Sequence, residues 1–471
     1  MFDLFIEKMY ICHRILNLCN TMYQYQPSPL PNTRVDVADI LRGIAIAGII
    51  LIHFLEHMGF YVYPVKPTAL DTAIWDTVFF MLAGKMYGIF AMLFGLSFYI
   101  QHDNQAKKGV DFRPRFVWRM ILLAVWGVLD LVFYNGDILL LYAICGLLVI
   151  PLIRLSNKVL AGIAIFLMLQ PVELIYIFLG LLNPDLRPLH LGSGLLYRSL
   201  TEIQTNGSFI DVAIASVTDG FLANLLWTIE NGRMTQTLFF FVLGIIVGRM
   251  RLLYDEGDNR TLWKRIMGVS LVAFAVICPL AIYVPGWMDN VCVSNSLKVM
   301  LTMWRNFTML CFYVAGFAWL FHCTEKGKKL MAVAPYGKMS LTNYISQSII
   351  GSFIFYNWGH AGLVEEFFLG EAFRLYCRAF PLLCKGHGRD REVVPVLPRN
   401  DPRGKPHLHH PGGSRPPAHI AHLHYPRRRI WRATCRYCST CSTWTGPPSR
   451  SRTSSRTRNI SPSESSGLSA P

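Results

Sequence analysis

Long apolar runs joined by short polar connections fill the first three quarters of the chain. Each run is close to the length of about 20 residues that a helix needs to cross a bilayer. Nine runs meet this description, at residues 38–55, 77–100, 116–134, 138–155, 158–182, 234–250, 265–285, 299–322 and 339–358. The pattern predicts an all-α polytopic membrane protein with about nine transmembrane helices.

Lys and Arg are concentrated in alternate connections between these runs. The cation-rich connections lie at residues 107–115, 154–158, 249–265 and 326–329. The connections between them, at residues 57–72, 135–137 and 286–297, are nearly free of cations. Because Lys and Arg favour cytoplasmic loops, the alternation predicts a cytoplasmic N-terminus.

The stretch from 208 to 230 is apolar but is interrupted by Asp211, Asp219 and Asn224. Treating it as a span would invert the charge alternation that follows it. We therefore place it in an extracytoplasmic loop, residues 183–233, where it lies at the membrane interface or on the helix bundle.

The amino-acid composition is typical of a membrane protein, and the last part of the chain differs from the rest in composition and charge. The 471 residues are 52% hydrophobic, and the mean hydropathy is +0.34. Although the net charge is +16, residues 360–471 hold 18 Lys and Arg against 7 Asp and Glu, so we predict no nucleic-acid partner. The predicted divisions are a cytoplasmic extension, a transmembrane domain and a basic tail, at residues 1–35, 36–358 and 359–471.

The tail is rich in Pro, Arg, His and Ser and shows no periodicity. It is either a basic disordered domain or the out-of-frame product of a frameshift near Gly359. Cys435, Cys438 and Cys441 have a spacing typical of zinc or iron–sulfur sites. In a tail of this composition we interpret the spacing as coincidence and predict no metal.

Four polar residues share one stripe of the first predicted helix: Asp39, Arg42, His53 and Glu56. At 1.5 Å rise per residue, Arg42 and His53 are ~16 Å apart along the axis, so they belong to opposite sides of the membrane. Asp39 and Arg42 are also explained by a solvated helix start that anchors the inner leaflet. His53 is either an interfacial histidine or part of a buried site.

Further ionisable residues fall toward the same extracytoplasmic half. Lys85 interrupts the second run, Asp130 lies in apolar surroundings near the end of the third, and Asp137 follows the Asn-Gly turn. Together with His53 and Glu56 they could form one polar chamber. Snorkelling to the interface is the alternative for Lys85, and helix capping is the alternative for Asp137.

In the ninth run, Asn343 and Gln347 are four residues apart and share a helix face. Hydrogen bonding between helices is the alternative to a binding role for these amides.

These motifs resemble those of the YeiB-like inner-membrane family, which carries the domain of unknown function 418. The resemblance implies a multi-pass protein of the bacterial inner membrane, and Asp130 stands where the family has a histidine. The matching stretches, in the order of the family, are DILRGIAIAGIIL, GKMYGIFAMLFGLSF, GDILLLYAICG, LFFFVLGIIVGR and GKMSLTNYISQS.

The first helix is also similar to that of membrane acyltransferases of the acyltransferase-three and heparan-acetyltransferase type. Those proteins open this helix with Asp-x-x-Arg-Gly and carry a histidine fourteen residues after the Asp, as Asp39, Arg42, Gly43 and His53 do here. The similarity implies transfer of an acyl group from a cytoplasmic thioester donor to an extracytoplasmic hydroxyl or amine.

Our first hypothesis is therefore an acyltransferase-like enzyme with an acyl-CoA-like donor and no permanently bound cofactor. His53 would be the general base, oriented by Glu56 or Asp130, and Arg42 would hold the donor. The predicted substrate-binding residues are Asp39, Arg42, Lys85, Asp137, Asn343 and Gln347.

Two alternatives remain open. In a transporter for a small polar solute, the buried Asp130, Lys85 and Glu173 would bind the solute or couple protons. If the tail reflects a frameshift, the chain is a truncated and inactive product.

Overall fold

The computed structural model describes residues 25–61 and 68–359, and in these ranges every regular element is helical. Predictions that concern residues 1–24, 62–67 and 360–471 lie outside the described residues. The first seven helices are α1 Asp36–Tyr61, α2 Ala69–Leu82, α3 Met86–Ala106, α4 Arg113–Leu131, α5 Leu139–Val149, α6 Asn157–Met168 and α7 Pro171–Leu182.

The remaining helices form the second half of the described chain. They are α8 Ser193–Asn206, α9 Phe209–Ala215, α10 Phe221–Glu230, α11 Arg233–Arg249, α12 Asn259–Tyr283, α13 Val291–Cys323, α14 Glu325–Lys328, α15 Ala334–Lys338 and α16 Ser340–Phe355. A π-helical turn, Ser216–Gly220, joins α9 to α10 without a break.

The centre of the bundle is the pair α3 and α11, whose backbones almost touch. A Cβ atom on Gly95 would lie 2.1 Å from the Phe241 carbonyl oxygen, and one on Gly244 would lie 2.0 Å from the Met92 carbonyl oxygen. Small residues permit such close approach of apolar helices. Phe94 stacks on Phe241 beside this contact, with ring centroids 4.8 Å apart.

Five helical stretches among the described residues are long and apolar enough to cross a membrane. They are Asp36–His57, Ala69–Ala106, Phe209–Glu230, Asn259–Trp287 and Val291–Cys323. The bent pair α6 and α7 would add a sixth. Helix α12 carries its apolar side chains outward, since Val269 and Val272 are more than two-thirds exposed. An exposed apolar face of this kind suits contact with lipid.

The predicted count of nine spans is not confirmed. Four predicted runs are helical, but α5 with the turn that follows it, α11 and α16 have fewer than 18 residues. The fourth, α4, includes Arg115, Arg119 and Asp130. Apolar runs in a sequence do not reveal where a helix ends, and these helices end within the runs.

Residues 209–230 were expected to lie in a loop, at the membrane interface or on the helix bundle, but they meet the length and hydropathy of a span. Their polar residues do not break the helix. Asp211 closes a capping box with Ser208 at the start of α9. The Asn224 amide donates to the carbonyl oxygens of Asn135 and Asp137, 2.9 Å away in each case. The segment therefore packs on the helix bundle.

Two of the long apolar stretches are interrupted near their middle. Between α2 and α3 the chain turns at Gly84, where φ is +77°, and Lys85 follows it. Between α6 and α7, Gln170 has φ of +53° and Pro171 begins α7, so that the two helices meet at 44°. Proline cannot continue the hydrogen bonding of α6, which explains this bend.

The residues before α1 are bound to the bundle through one carboxylate. Asp103, fully buried near the end of α3, accepts hydrogen bonds from the Tyr25 hydroxyl at 2.6 Å, the Ser28 amide at 2.8 Å and the Asn32 amide at 2.7 Å. Lys107 pairs with it at 2.7 Å. These contacts attach residues 25–32 to the helix domain.

Candidate functional site

A cavity of about 420 Å³ opens between α1, the turn from α4 to α5, α8, α10 and the start of α11. We call it the outer cavity, after the side that the charge alternation predicts. The structure brings three of the predicted site residues to its wall, His53, Glu56 and Asp137. Tyr134 and Arg233 line it as well.

His53 is connected to Asp130 through two side chains of α16. The Gln347 Nε2 atom lies 2.9 Å from His53 Nδ1. Gln347 also donates to the Ser348 hydroxyl at 2.9 Å, and Ser348 donates to Asp130 Oδ2 at 3.0 Å. All four side chains are buried. The residue in direct contact with His53 is thus Gln347, and Asp130 acts on it only at a distance.

Glu56 does not orient His53 directly. The Tyr134 hydroxyl donates to the Glu56 carboxylate, and the Tyr134 ring lies against the His53 ring with centroids 4.3 Å apart. His57, one turn further along α1, also stacks on the Tyr134 ring, with centroids 4.8 Å apart. Glu56 therefore positions Tyr134, which in turn confines the imidazole.

Asp137 caps the start of α5, as its alternative interpretation expected. Its carboxylate accepts from the backbone amides of Leu139 and Leu140, at 3.0 and 3.3 Å. The preceding backbone amide, that of Ile138, donates to the Tyr344 hydroxyl at 3.3 Å. Asp137 is nearly fully buried, so its capping bonds also supply the donors that a buried carboxyl group requires.

The structure places two predicted binding residues away from the outer cavity. The Lys85 ammonium donates to the Phe80 carbonyl oxygen at the end of α2, over the ring of the same residue. The Asn343 amide donates to the Tyr336 carbonyl oxygen at 2.9 Å. Lys85 thus supplies a hydrogen-bond donor to a backbone carbonyl group at the end of α2, next to the Gly84 turn. Asn343 links α16 to α15.

A second cavity, of about 490 Å³, lies on the predicted cytoplasmic side and is called the inner cavity. Arg42, Arg119 and Lys338 line it, together with aromatic and aliphatic residues of α3, α4 and α5. Arg42 pairs with Asp39 at 3.1 Å and donates to the Ser97 hydroxyl at 2.9 Å. Asp39 is not in the wall, so the lining of this cavity contains cations and no carboxylate.

Two tyrosines separate the cavities. Tyr344 and Tyr142 line the inner cavity, and both are almost completely buried. The Tyr344 ring meets His53 edge to face at 5.5 Å, while the Tyr142 hydroxyl donates to the carbonyl oxygen of Tyr87, a residue of the outer cavity, at 2.8 Å. We call these two residues the tyrosine partition.

Sequence reasoning did not single out Tyr134, Ser348 or Arg233 as site residues. Ser348 follows Gln347 directly, and its seryl oxygen completes the link to Asp130. Arg233 begins α11 after Gly232, within the stretch that the charge alternation assigned to a loop. Within residues 25–61 and 68–359 no group of three or more His, Cys, Asp or Glu side chains could hold a metal ion.

Comparison with known proteins gives two family matches. Residues 34–184 match the family described as "Heparan-alpha-glucosaminide N-acetyltransferase, catalytic". Residues 247–374 match the family described as "Protein of unknown function (DUF418)". His53 and Asp130 fall in the first match and Gln347 and Ser348 in the second, so the linked side chains come from both. The second match runs past the domain boundary predicted at residue 359.

Individual relatives match the chain as well. The chain is 26% identical over 361 residues to the uncharacterised protein YxaH of Bacillus subtilis (strain 168), covering 72% of this chain and 85% of the relative. It is 28% identical over 353 residues to the uncharacterised protein YeiB of Escherichia coli (strain K12), covering 70% and 84%. Over most of its length the chain is therefore similar to YeiB-like proteins. A shorter match, 32% identical over 129 residues, is to an uncharacterised 39.9 kDa protein of Bacillus acidopullulyticus, covering 27% and 36%.

No solved structure gives a significant match to the chain. The apolar helices of this YeiB-like chain indicate a membrane protein. Its first helices, which supply His53 and Arg42, are similar to an acetyltransferase catalytic domain.

Proposed function

We propose that the chain is an acyltransferase of the bacterial inner membrane that transfers an acyl group from a cytoplasmic donor to an acceptor at the outer cavity. The observation that supports this most strongly is the contact between Tyr344, in the wall of the inner cavity, and His53, in the wall of the outer cavity. A donor on one side and an acceptor on the other would then be separated by the rings of Tyr344 and His53.

The inner cavity suits an acyl donor in charge and in shape. Its cations, Arg42, Arg119 and Lys338, match the phosphates of an acyl-CoA-like donor, and guanidinium groups bind phosphate through paired hydrogen bonds. Its aromatic wall suits the less polar pantetheine and acyl portions. In this proposal Asp39 positions Arg42 through their ion pair.

His53 acts as the general base toward the acceptor hydroxyl or amine. For this role Nε2 needs a free lone pair, so Nδ1 must carry the proton. Turning the Gln347 amide by 180° brings its Oε1 atom onto Nδ1 as an acceptor, and the two amide orientations are distinguished only by their hydrogen bonds. In this orientation Ser348 would donate to Oε1 and a protonated Asp130 would donate to Ser348, so the direction of the whole chain is reversed. Tyr134, held by Glu56, keeps the ring in place.

The test is acyl transfer by the purified full chain in proteoliposomes, with labelled acetyl-CoA as donor and glucosamine as acceptor. We expect His53→Ala to lower the rate by about 10²–10⁴-fold, the usual contribution of a general base. His322→Ala, which removes a half-buried histidine at the far end of α13, is the matched control. Wild-type turnover in His53→Ala would exclude the mechanism.

A transporter is the second candidate, because the interruptions at Gly84 and Gln170 place broken helices beside Lys85 and Glu173. Transporters bind their solutes at such interruptions. Uptake of labelled sugars or amino acids by the same proteoliposomes without any acyl donor, at equal rates in His53→Ala, would favour this function.

A further inference from the structure

A third cavity adjoins the outer cavity through one cation. It has a volume of about 380 Å³ and is lined by residues of α7, α10, α11 and α13 and by residues 188–190. Arg233 is the residue that lines both this side cavity and the outer cavity. Arg233 is the first residue of α11, and its presence in both walls places it between the two cavities.

Aromatic rings hold the Arg233 guanidinium in place. Its central carbon lies 4.7 Å from the centroid of the Tyr87 ring and 5.4 Å from that of Trp227. Tyr87 also hydrogen-bonds to it, while the Tyr87 hydroxyl donates to Gln236 at 2.7 Å. Such rings fix a planar cation without neutralising its charge.

In the described part of the chain Arg233 forms no ion pair within 4.0 Å. Glu56 is near enough to interact with it electrostatically but does not contact it. Three glutamates line the same two cavities, and each is bound to another donor. Glu56 accepts from Tyr134 and Glu230 from Ser193. Glu173 accepts from Ser296. The guanidinium thus retains donors for a ligand, since it carries five N–H groups.

We propose that Arg233 binds an oxyanion of the ligand that occupies the outer and side cavities. The planar fork of a guanidinium matches the two oxygens of a carboxylate or a phosphate. The ligand is therefore an acid or a phosphate ester, with its anionic group at Arg233 and the rest of the molecule reaching toward His53. We identify this ligand with the acyl acceptor, and that identification rests on the proposed function. The binding of an oxyanion at Arg233 does not.

The first experiment measures binding without any reaction. Thermal unfolding of the purified full chain in detergent is followed with added sodium phosphate or sodium acetate, with sodium chloride keeping the ionic strength constant. We expect a saturable rise in Tm of a few degrees for at least one of them. A phosphate response indicates a phosphate-bearing ligand, and an acetate response a carboxylate-bearing one.

Variants separate binding at Arg233 from general salt effects. Arg233→Gln should lose the saturable rise, while Arg198→Gln, which removes an exposed cation of α8, should keep it. Arg233→Lys keeps the charge but not the fork, and should shift the titration midpoint several-fold to higher concentration even if Arg233→Gln does not fold. Three outcomes would overturn the inference. They are an unchanged titration midpoint in Arg233→Lys, equal rises in Tm for wild type and Arg233→Gln, and no rise in Tm for wild type.

A second measurement connects the subsite to transfer. With glucosamine 6-phosphate as acceptor, Arg233→Gln should raise KM at least tenfold, while KM for glucosamine should stay within twofold. Binding that depends on Arg233 in a chain with no transfer would refute the enzyme and leave the subsite intact. Transfer without such binding would refute the subsite alone.

Discussion

At the level of single residues, the protonation of His53 depends on the direction in which the Gln347 amide is turned. The amide is neutral and can act as donor or acceptor, so it can support either tautomer of a buried imidazole. Ser348 and Asp130 continue the chain of hydrogen bonds away from the cavity. The base thus depends on α16 for its orientation.

Substitutions at Gln347 test this dependence. Gln347→Glu supplies an acceptor for Nδ1–H and should retain most of the transfer rate. Gln347→Met has similar length but removes the hydrogen bond, and should lower the rate about 10²-fold through misorientation. The measurement is kcat in the proteoliposome assay. Equal rates in the two variants would show that the amide does not orient His53.

Two serines of α16 allow a matched stability test. Ser348 links Gln347 to Asp130, whereas Ser352, equally buried, donates only to the Ile349 carbonyl oxygen of its own helix at 2.9 Å. Ser348→Ala leaves a buried carboxyl group without its donor and should cost about 1–3 kcal/mol. Ser352→Ala should cost less than about 1 kcal/mol. Thermal unfolding in detergent compares the two, and equal losses would contradict the linked network.

Sequence reasoning located some of these residues and missed others for identifiable reasons. The stripe of α1 follows from helical periodicity, and His53 and Glu56 do share a cavity. Lys85 could not be placed, because the turn at Gly84 that directs it back to α2 requires a positive φ that no apolar run indicates. Arg233 was missed because it begins a helix inside a presumed loop.

At the level of helices, the contact of α3 with α11 carries much of the packing. Gly244→Ala would force a methyl group against the Met92 carbonyl oxygen, and we expect a loss of about 1–3 kcal/mol or more from overpacking. Gly268→Ala in α12 meets no atom within 4 Å and should stabilise the helix by up to about 1 kcal/mol. Thermal unfolding of both variants checks the contrast; similar Tm values would contradict the close approach.

Helix lengths explain why the predicted count of nine spans is not confirmed. The sequence shows where apolar residues occur, but α5, α11 and α16 are short helices whose buried faces pack on other helices. Pairing of Asn224 with the turn at residues 135–137 likewise turns a polar interruption into a tertiary contact. Neither the burial of these short helices nor the hydrogen bonds of Asn224 can be predicted from the sequence, because both depend on the neighbouring helix.

At the level of the whole molecule, the orientation in the membrane is still a prediction and can be tested directly. In a background without native cysteines, Lys108→Cys and Asp185→Cys introduce thiols at exposed positions of opposite predicted sides. An impermeant maleimide should label Asp185→Cys in intact spheroplasts and Lys108→Cys only after lysis. The reverse pattern would invert the cavities and remove the basis for a cytoplasmic donor.

The tyrosine partition also has an electrical consequence. Water-filled spaces on both sides would bring each solution close to Tyr344, so the resting voltage would fall over a few ångströms instead of the ~30 Å of hydrocarbon. A proton or charged fragment passing that ring would then cross nearly the whole field, which is worth about 2.3 kcal/mol per charge at 100 mV. Polarising the vesicles should therefore speed or slow turnover, and reversing the polarity should reverse the effect.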